Sequence, residues 1–166
     1  MQLLIVRHAR AEDRDRFAVT RQPDALRPLT RKGIRRMTGA ARGLRQLVPS
    51  IDVLIASPLR RAIETARIIS DAYGGVKWIE RDELSPGTGA EQVVRWLATQ
   101  PQKGVIAIVG HEPDLSELLA RVVASKSELP SKLKKGSASL VSFEGAIAAA
   151  SGKLLWHRTA RELADA

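Results

Sequence analysis

The amino-acid sequence predicts a three-layer α/β/α sandwich built on a mostly parallel central sheet. Three short apolar runs, at residues 2–6, 53–56 and 105–109, are typical of strands that are buried on both faces. Helical patterns of ten or more residues separate these runs, as expected for parallel strands joined by crossover helices. A chain of 166 residues, 44% of them hydrophobic, can bury one core, so we interpret residues 1–166 as a single domain.

The first long helix is predicted from a cap and an apolar stripe. Residues 10–28 carry mixed charges and two prolines without long apolar periodicity, so we expect a loop there. Thr30 is a suitable N-cap, and the residues after it place apolar side chains at helical spacing. Pro49 then stops the pattern. We therefore predict a helix over residues 31–47.

The second crossover begins where the strand at residues 53–56 ends. Ser57 and Pro58 predict an N-cap followed by the first helical residue, because proline is favoured at that position. The helix is expected to extend to about Tyr73, which precedes two glycines. A short strand at residues 76–79 follows.

The rest of the chain repeats this alternation and then departs from it. A helix is predicted around residues 93–97, and another follows the strand at 105–109 as far as Val123. A Ser- and Lys-rich loop is expected over residues 125–136. Two strands that form a closing pair are expected at residues 139–143 and 153–157, and a short amphipathic helix or frayed tail begins at residue 158.

Composition limits the classes of protein and of site. The chain has no cysteine, which excludes disulfides, thiolate metal sites and a cysteine nucleophile. No apolar run approaches the roughly 20 residues that span a bilayer, and we expect a cytoplasmic protein without an export signal. The net charge of +9 favours anionic partners, and its excess lies in residues 1–70, with 15 Lys+Arg against 6 Asp+Glu.

The candidate functional residues follow the three apolar strands. Arg7 and His8 follow the first strand, and His111 follows the third. Arg60 and Arg61 open the helix after the second strand. Since the carboxyl ends of parallel strands meet at one edge of the sheet, these side chains are expected to lie together. Arginines at a helix N-terminus face the positive end of its dipole, which an anion would offset, so the pattern predicts a phosphate site.

Four motifs match a known family. They are, in chain order, Arg7-His8; Leu29-Thr30-x-x-Gly33; Ser57-Pro58-x-x-Arg61-Ala62-x-x-Thr65; and Gly110-His111. Their order and spacing resemble the histidine phosphatase superfamily, also called phosphoglycerate mutase-like, over residues 1–125. The chain has no room for the inserted cap segments of larger members, and in this it is similar to the SixA-type phosphohistidine phosphatases.

The resemblance implies a role for each of four residues. His8 would be the nucleophile that accepts a phosphoryl group, and Arg7, Arg61 and His111 would surround the phosphate oxygens. A histidine nucleophile must be neutral, and a backbone carbonyl bonded to its other ring nitrogen would fix the tautomer. Two guanidiniums and an imidazole can stabilise the equatorial oxygens without a metal or another cofactor.

Two positions bear on the details of this resemblance. Many members protonate the leaving oxygen with a carboxylic acid, for which Glu83 is the nearest candidate. Phosphohistidine, with its labile P–N bond, would not need such an acid. Where the family motif has Arg-His-Gly, this chain has Ala9, whose methyl group could crowd the pocket or resist a positive φ.

The remaining notable residues have structural interpretations. His157 lies outside the motifs and is expected at a strand end, and the three histidines lack the spacing of a metal site. The tryptophans have no interleaved basic residues, so we expect them in the core or an interface rather than stacked on bases. The loop over residues 125–136 contains Lys132, Lys134 and Lys135. These lysines are expected to be solvated, but they could steer an acidic partner.

Three functions compete at this point. The leading one is a metal-independent phosphatase that hydrolyses phosphohistidine on a phosphotransfer protein through a phospho-His8 intermediate. The first alternative keeps the mechanism but acts on small phosphomonoesters, such as a sugar phosphate or a nucleotide. The second is a non-catalytic module that binds anions or nucleic acid, although no recognised nucleic-acid motif supports it. The expected partner is thus a histidine phosphotransfer domain or a small phosphorylated substrate, and neither nucleic acid nor a membrane.

Overall fold

The computed structural model of the protein describes residues 1–102, 104–125, 127 and 129–166. Its helices and strands alternate in nearly the predicted order. The strands are β1 (Gln2–Arg7), β2 (Val53–Ala56), β3 (Trp78–Glu80), β4 (Val105–Gly110), β5 (Ala138–Phe143) and β6 (Gly152–Arg158). The helices are α1 (Arg14–Ala18), α2 (Arg31–Leu47), α3 (Arg60–Ala72), α4 (Ala90–Ala98), α5 (Asp114–Val122) and α6 (Ala160–Ala164), with 3₁₀ turns at Asp24–Leu26 and Asp82–Leu84.

The strands form one six-stranded sheet in the order β3-β2-β4-β1-β5-β6. The first four strands in this order are parallel, whereas β5 is antiparallel to β1 and β6 is antiparallel to β5. Arg7 of β1 lies beside Gly110 of β4, and Ala56 of β2 lies beside Val109. The predicted fold class is confirmed, and the register aligns the carboxyl ends of β1, β2 and β4 at one edge.

Helices cover both faces of the sheet. Leu4 and Val6 of β1 belong to the apolar cluster that α2, α3 and α6 complete on one face. Leu3 and Ile5 belong to the cluster that α4 and α5 complete on the other face. Because side chains alternate along a strand, β1 is buried on both sides, as its continuous apolar run predicts.

The segment between β1 and α2 contains more structure than the sequence predicts. The prediction of a loop over residues 10–28 is wrong in part, since α1 and the first 3₁₀ turn lie within it. Asp13 caps α1 by accepting hydrogen bonds from the amides of Asp15 and Arg16, and Phe17 is buried. A helix of five residues is too short to show apolar periodicity, so the sequence pattern did not indicate it.

The start of α3 also differs from the prediction. Ser57 and Pro58 were predicted as the cap and the first helical residue, but α3 begins at Arg60, with Leu59 at the N-cap position. The Ser57 hydroxyl accepts a weak hydrogen bond from the Leu59 amide at 3.3 Å. Its shorter contact, 2.8 Å, is with the ring of His111, so the stronger hydrogen bond of Ser57 is to this histidine and not to the start of the helix.

The remaining elements agree with the sequence to within a few residues. The helix over residues 31–47 has the predicted bounds, and β3 begins two residues later than predicted. Positions 126 and 128 of the predicted 125–136 loop lie outside the described residues, and its described part holds no helix or strand. Within the described ranges, every helix is too short or too polar to cross a membrane.

Candidate active site

The ends of β1, β2 and β4 bring the predicted residues into one buried cluster. The ring centroids of His8 and His111 lie 5.1 Å apart. The His8 amide donates to the Gly110 carbonyl at 3.1 Å, so strand pairing sets this distance. Arg61, in the first turn of α3, is 3% exposed. The Thr65 hydroxyl connects the Arg61 carbonyl to the amide of Ala9, next to His8. Burial, together with the charge of Arg61, lowers the pKa of both imidazoles.

His8 is held as a neutral imidazole with one free ring nitrogen. Its Nδ1 lies 2.7 Å from the Ala9 carbonyl oxygen. Because a carbonyl can only accept, Nδ1 carries the proton and the lone pair of Nε2 is available. Burial lowers the pKa of His8 to about 3, with the charges of Arg61 and Arg7 adding to it and the Ala9 carbonyl opposing it. The ring is therefore neutral at ordinary pH.

His111 is positioned by Ser57. Its Nε2 lies 2.8 Å from the Ser57 hydroxyl, while its buried Nδ1 has no partner in the part of the chain that the structure describes. Burial, followed by the effects of His8 and Arg61, lowers the pKa of His111 to about 3. A neutral ring whose Nε2 accepts from the serine carries its proton on Nδ1. His111 can then donate that proton in a hydrogen bond to an anion.

Asp24 holds the guanidinium of Arg61. Nη1 of Arg61 lies 3.1 Å from the Asp24 carboxylate and donates to the Asp24 backbone carbonyl at 3.1 Å. The same carboxylate accepts a hydrogen bond from Nε of Arg27 at 2.7 Å. Asp24 was not predicted from the sequence, because it lies in the segment assigned to a loop and pairs with a residue 37 positions away. It fixes one end of Arg61 and leaves the Nε of that residue unpaired.

Arg7 and Lys135 supply further positive charge. Nη1 of Arg7 donates to the Leu133 carbonyl at 2.6 Å, and burial lowers the pKa of Arg7. The Lys135 charge contributes to the lowered pKa of His8, and burial and then Arg7 lower the pKa of Lys135 itself. Lys135 is exposed, as expected for the lysine run, and it lines one groove together with Arg7.

Three of the predicted phosphate ligands carry a buried polar atom without a partner. Among the described residues, no group hydrogen-bonds Nε of Arg7, Nε of Arg61 or Nδ1 of His111. An unsatisfied buried donor costs about 1–3 kcal/mol, so several in one cluster call for an explanation. The oxygens of a phosphate group could accept from all three. The cluster therefore has the donor set of a phosphate site.

Glu83 contacts a crevice that His111 also lines, whereas Arg60 lies on the surface. Glu83, in the second 3₁₀ turn, lines a narrow crevice together with His111 and Leu115. Arg60 instead points to the surface, where its Nε lies 2.8 Å from the carboxylate of Glu64. The structure thus brings Glu83 to the edge of the site and, of the two adjacent arginines, buries only the one in the motif.

The other motif residues fix the chain that follows β1. The Thr65 hydroxyl accepts from the Ala9 amide at 3.0 Å and donates to the Arg61 carbonyl at 2.7 Å. A Cβ atom at Gly33 would overlap the Arg10 carbonyl, so glycine lets α2 approach this segment. Ala9 is buried and its φ lies outside the left-handed region, so its methyl group is accommodated without backbone strain.

Comparison with known proteins decides the family. The model of the histidine phosphatase superfamily (branch 1) matches residues 3–85. An uncharacterized protein of Picosynechococcus sp. is 34% identical over 139 residues, which are 81% of each chain. The chain belongs to the histidine phosphatase superfamily. This membership supports phosphatase activity.

Solved structures of the histidine phosphatase superfamily share the fold. The protein histidine phosphatase SixA, complexed with tungstate, matches with a TM-score of 0.80 and 23% identity over 98% of this chain and 99% of that chain. SixA from Nakamurella multipartitia matches with a TM-score of 0.77 and 27% identity over 95% and 94%. The resemblance inferred from the motifs is confirmed.

The expectation that this histidine phosphatase needs no metal stays a prediction. In the part of the chain that the structure describes, no three His, Asp or Glu side chains are grouped to hold a metal ion. The polar atoms that face the cluster are nitrogen donors of Arg7, Arg61 and His111, which suit an anion.

The two buried histidines predict that this histidine phosphatase loses stability in acid. His8 and His111 have pKa values of about 3 in the folded protein, against an ordinary value of 6.5. Between these values the unfolded chain binds protons that the folded chain does not, so the free energy of unfolding falls as the pH falls. Each histidine is expected to lower the free energy of unfolding by about 2 kcal/mol at pH 5 relative to pH 7. Above pH 7 it should have little further effect.

Urea unfolding at the two pH values tests this expectation. The loss of unfolding free energy between pH 7 and pH 5 should be about 2 kcal/mol smaller in His8→Asn and in His111→Asn than in the wild type. Burial also lowers the pKa of His157, so His157→Asn serves as a further test and should reduce the loss as well. Identical losses in all four proteins would contradict the assignment.

Proposed function

We propose that this histidine phosphatase is a metal-independent enzyme that hydrolyses phosphohistidine on a phosphotransfer protein through a phospho-His8 intermediate. The observation that carries the proposal is the state of His8, which is neutral, protonated on Nδ1 and free at Nε2. A neutral imidazole is a good nucleophile toward phosphorus, and phosphoryl transfer otherwise requires alignment and charge stabilisation.

The first half-reaction transfers the phosphoryl group to the enzyme. Nε2 of His8 attacks phosphorus, and the P–N bond to the substrate imidazole breaks with its electron pair leaving on that imidazole. When the other nitrogen of the substrate ring already carries a proton, the leaving group departs as neutral imidazole. No general acid is then required. The Ala9 carbonyl stabilises the phospho-His8 ring by accepting from Nδ1.

The second half-reaction returns the enzyme to its starting state. The oxygen of a water molecule forms the new P–O bond, and the bond between phosphorus and Nε2 breaks. Its electron pair returns to the His8 ring, and both protons of the water leave with inorganic phosphate. Nδ1 keeps its proton throughout, so the Ala9 hydrogen bond holds one tautomer over the whole cycle.

The three unpartnered donors stabilise the transferred group in both steps. In the proposed mechanism, Nε of Arg7 and Nε of Arg61 donate to equatorial oxygens, where negative charge collects in the transition state; their lack of a partner among the described residues supports this role. Nδ1 of His111 donates a third hydrogen bond when the Ser57 hydroxyl donates to its Nε2. Because these groups are buried and held in place, they need little reorganisation during the reaction.

A second candidate function is the hydrolysis of small phosphomonoesters, which one observation favours. Glu83 lines the same crevice as His111, at the edge of the site. An alkoxide leaving group needs a proton in the transition state, and a carboxylic acid at this place could supply it. The 27% identity to SixA from Nakamurella multipartitia supports the phosphohistidine substrate instead.

A substrate panel tests the two candidates. A phosphohistidine-carrying phosphotransfer protein, phosphoramidate and an alkyl phosphate are compared without added metal and in the presence of EDTA. We expect the two substrates with P–N bonds to be hydrolysed faster, and Glu83→Gln to leave their turnover within about twofold of the wild type.

The outcomes of the panel are distinct. General acid catalysis contributes about 10²–10⁴-fold, so a loss of that size in Glu83→Gln, with alkyl phosphate as the preferred substrate, would favour the phosphomonoester alternative. Glu80→Gln, on β3, is the matched control for the loss of one carboxylate. The non-catalytic module is the remaining reading if none of the three substrates is hydrolysed.

A further inference from the structure

A large groove with basic walls opens beside the active site. It has a volume of about 940 Å³ and lies between the chain after β1, the N-terminal half of α2, residues 131–136 and α6. Arg7 lines the groove and is also one of the predicted phosphate ligands, so the groove and the site are neighbours at this residue. We call it the basic groove; its cations besides Arg7 are Arg10, Arg36, Lys132, Lys134, Lys135 and Arg161.

The cations of the basic groove have few carboxylates to balance them. In the described part of the chain, Arg161 is the only one that forms an ion pair, 3.9 Å from Asp165, and both side chains are largely exposed. The other carboxylate of α6, on Glu162, accepts hydrogen bonds from the Thr159 amide and hydroxyl at 2.8 and 2.7 Å. Among the described residues, none that lines the groove is acidic. Such a concave surface of one sign concentrates anions.

The floor of the basic groove is apolar and lacks aromatic side chains. Ala9, Met37, Leu133 and Ala160 contribute to it. Apolar groups between cations suit a polypeptide that alternates carboxylates with small hydrophobic side chains. Single-stranded nucleic acid would be expected to stack its bases on aromatic rings, and none lines the groove.

We propose that the basic groove docks an acidic segment of the protein that carries the phosphohistidine. The proposal rests on the proposed function, since it identifies how a protein substrate would be held. A segment bound in the groove would contact Arg7, which is one of the predicted phosphate ligands. Opposite charges on the two surfaces would speed their encounter and set the register of the substrate. A small phosphoramidate gains nothing from these contacts.

A direct binding measurement tests the groove independently of catalysis. The probe is a fluorescein-labelled glutamate-rich peptide, followed by fluorescence anisotropy at low salt. The groove variant is Arg36→Glu/Lys132→Glu/Arg161→Glu, and the control variant is Arg42→Glu/Lys77→Glu/Lys153→Glu, which makes the same change of net charge at exposed positions outside the groove.

We expect the groove variant to bind the peptide about 30-fold more weakly, because each of its three substitutions should weaken binding about threefold. The control variant should bind like the wild type. Equal losses in the two variants, or no loss in the groove variant, would overturn the proposal. Tighter binding of an RNA oligonucleotide than of the peptide at the same salt would also overturn it. So would displacement of the peptide by inorganic phosphate beyond the effect of matched ionic strength.

Kinetics separate this proposal from the proposed function. With the phosphohistidine protein as substrate, the groove variant should have a raised KM and a kcat within about twofold of the wild type, while phosphoramidate turnover stays unchanged. A raised KM in the control variant as well would count against the groove. A wild-type enzyme that hydrolyses phosphoramidate but not the phosphohistidine protein would contradict the proposed substrate. The peptide measurement would still test binding of an acidic segment in the groove.

Discussion

His8→Asn is expected to lower phosphatase turnover by about 10⁴-fold or more, because the variant has no ring nitrogen that can accept the phosphoryl group. The wild type should yield an acid-labile phosphoenzyme when it is quenched during turnover of phosphoramidate, and the variant should yield none. Single-turnover kinetics combined with mass spectrometry of the quenched protein measure both effects. The side chain of asparagine is polar and smaller than imidazole, so the fold around the strand ends should persist.

The control for this prediction is the histidine outside the cluster. His157, on β6, shares a hydrogen bond of 2.9 Å with the Ser139 hydroxyl and is separated from β1 by β5. His157→Asn should retain turnover within about twofold of the wild type, as expected of a residue away from the reacting atoms. Wild-type turnover in His8→Asn, or phosphate on another residue, would rule out the covalent role of His8.

The elements that position the site could be predicted because their signals are local. The strand at residues 53–56 and the helix over residues 31–47 have the predicted bounds. In each case a buried apolar run or stripe is bordered by a residue with a strong backbone preference, such as Thr30 or Pro49. Strand ends then locate His8 and His111, since parallel strands align their carboxyl ends.

Contacts between distant segments could not be predicted in this way. Ser57 has the residue type of a helix cap, yet its short hydrogen bond is to His111, on the next strand of the sheet. Asp24 pairs with Arg61 across 37 positions from a segment without periodicity. Neither partner can be read from local spacing, because only the folded chain brings them together. A resemblance to the family gives the roles of motif residues but not these supports.

The charge on the surface of the folded protein could not be predicted from the charge along the sequence either. Counted along the sequence, the positive excess lies in residues 1–70. In the folded protein, the basic groove takes Lys132, Lys134, Lys135 and Arg161 from the second half of the chain. Of the acidic residues in that half that the structure describes, none lines the groove. A half that is neutral on average therefore contributes four cations to the groove, beside three arginines from the first half.

Arg61→Met is expected to lower kcat/KM by about 10³-fold, because in the proposed mechanism the buried guanidinium stabilises charge that develops in the transition state. Nη1 is held by Asp24, whereas Nε has no partner among the described residues and is a donor available to phosphate. Binding of tungstate, measured by calorimetry, should weaken along with the rate, since the anion uses the same donor. Phosphoramidate serves as the substrate, so that docking of a protein does not enter the measurement.

The neighbouring arginine provides a matched control. Arg60 pairs with Glu64 on the surface, and its side chain is 52% exposed. Arg60→Met should therefore change kcat/KM by no more than about twofold. Asp24 keeps its hydrogen bond with Arg27 when Arg61 is replaced, and methionine fills much of the vacated volume, so a thermal melt should show Arg61→Met folded. Equal kcat/KM values in the two variants would mean that burial of Arg61 serves the fold and not the phosphate.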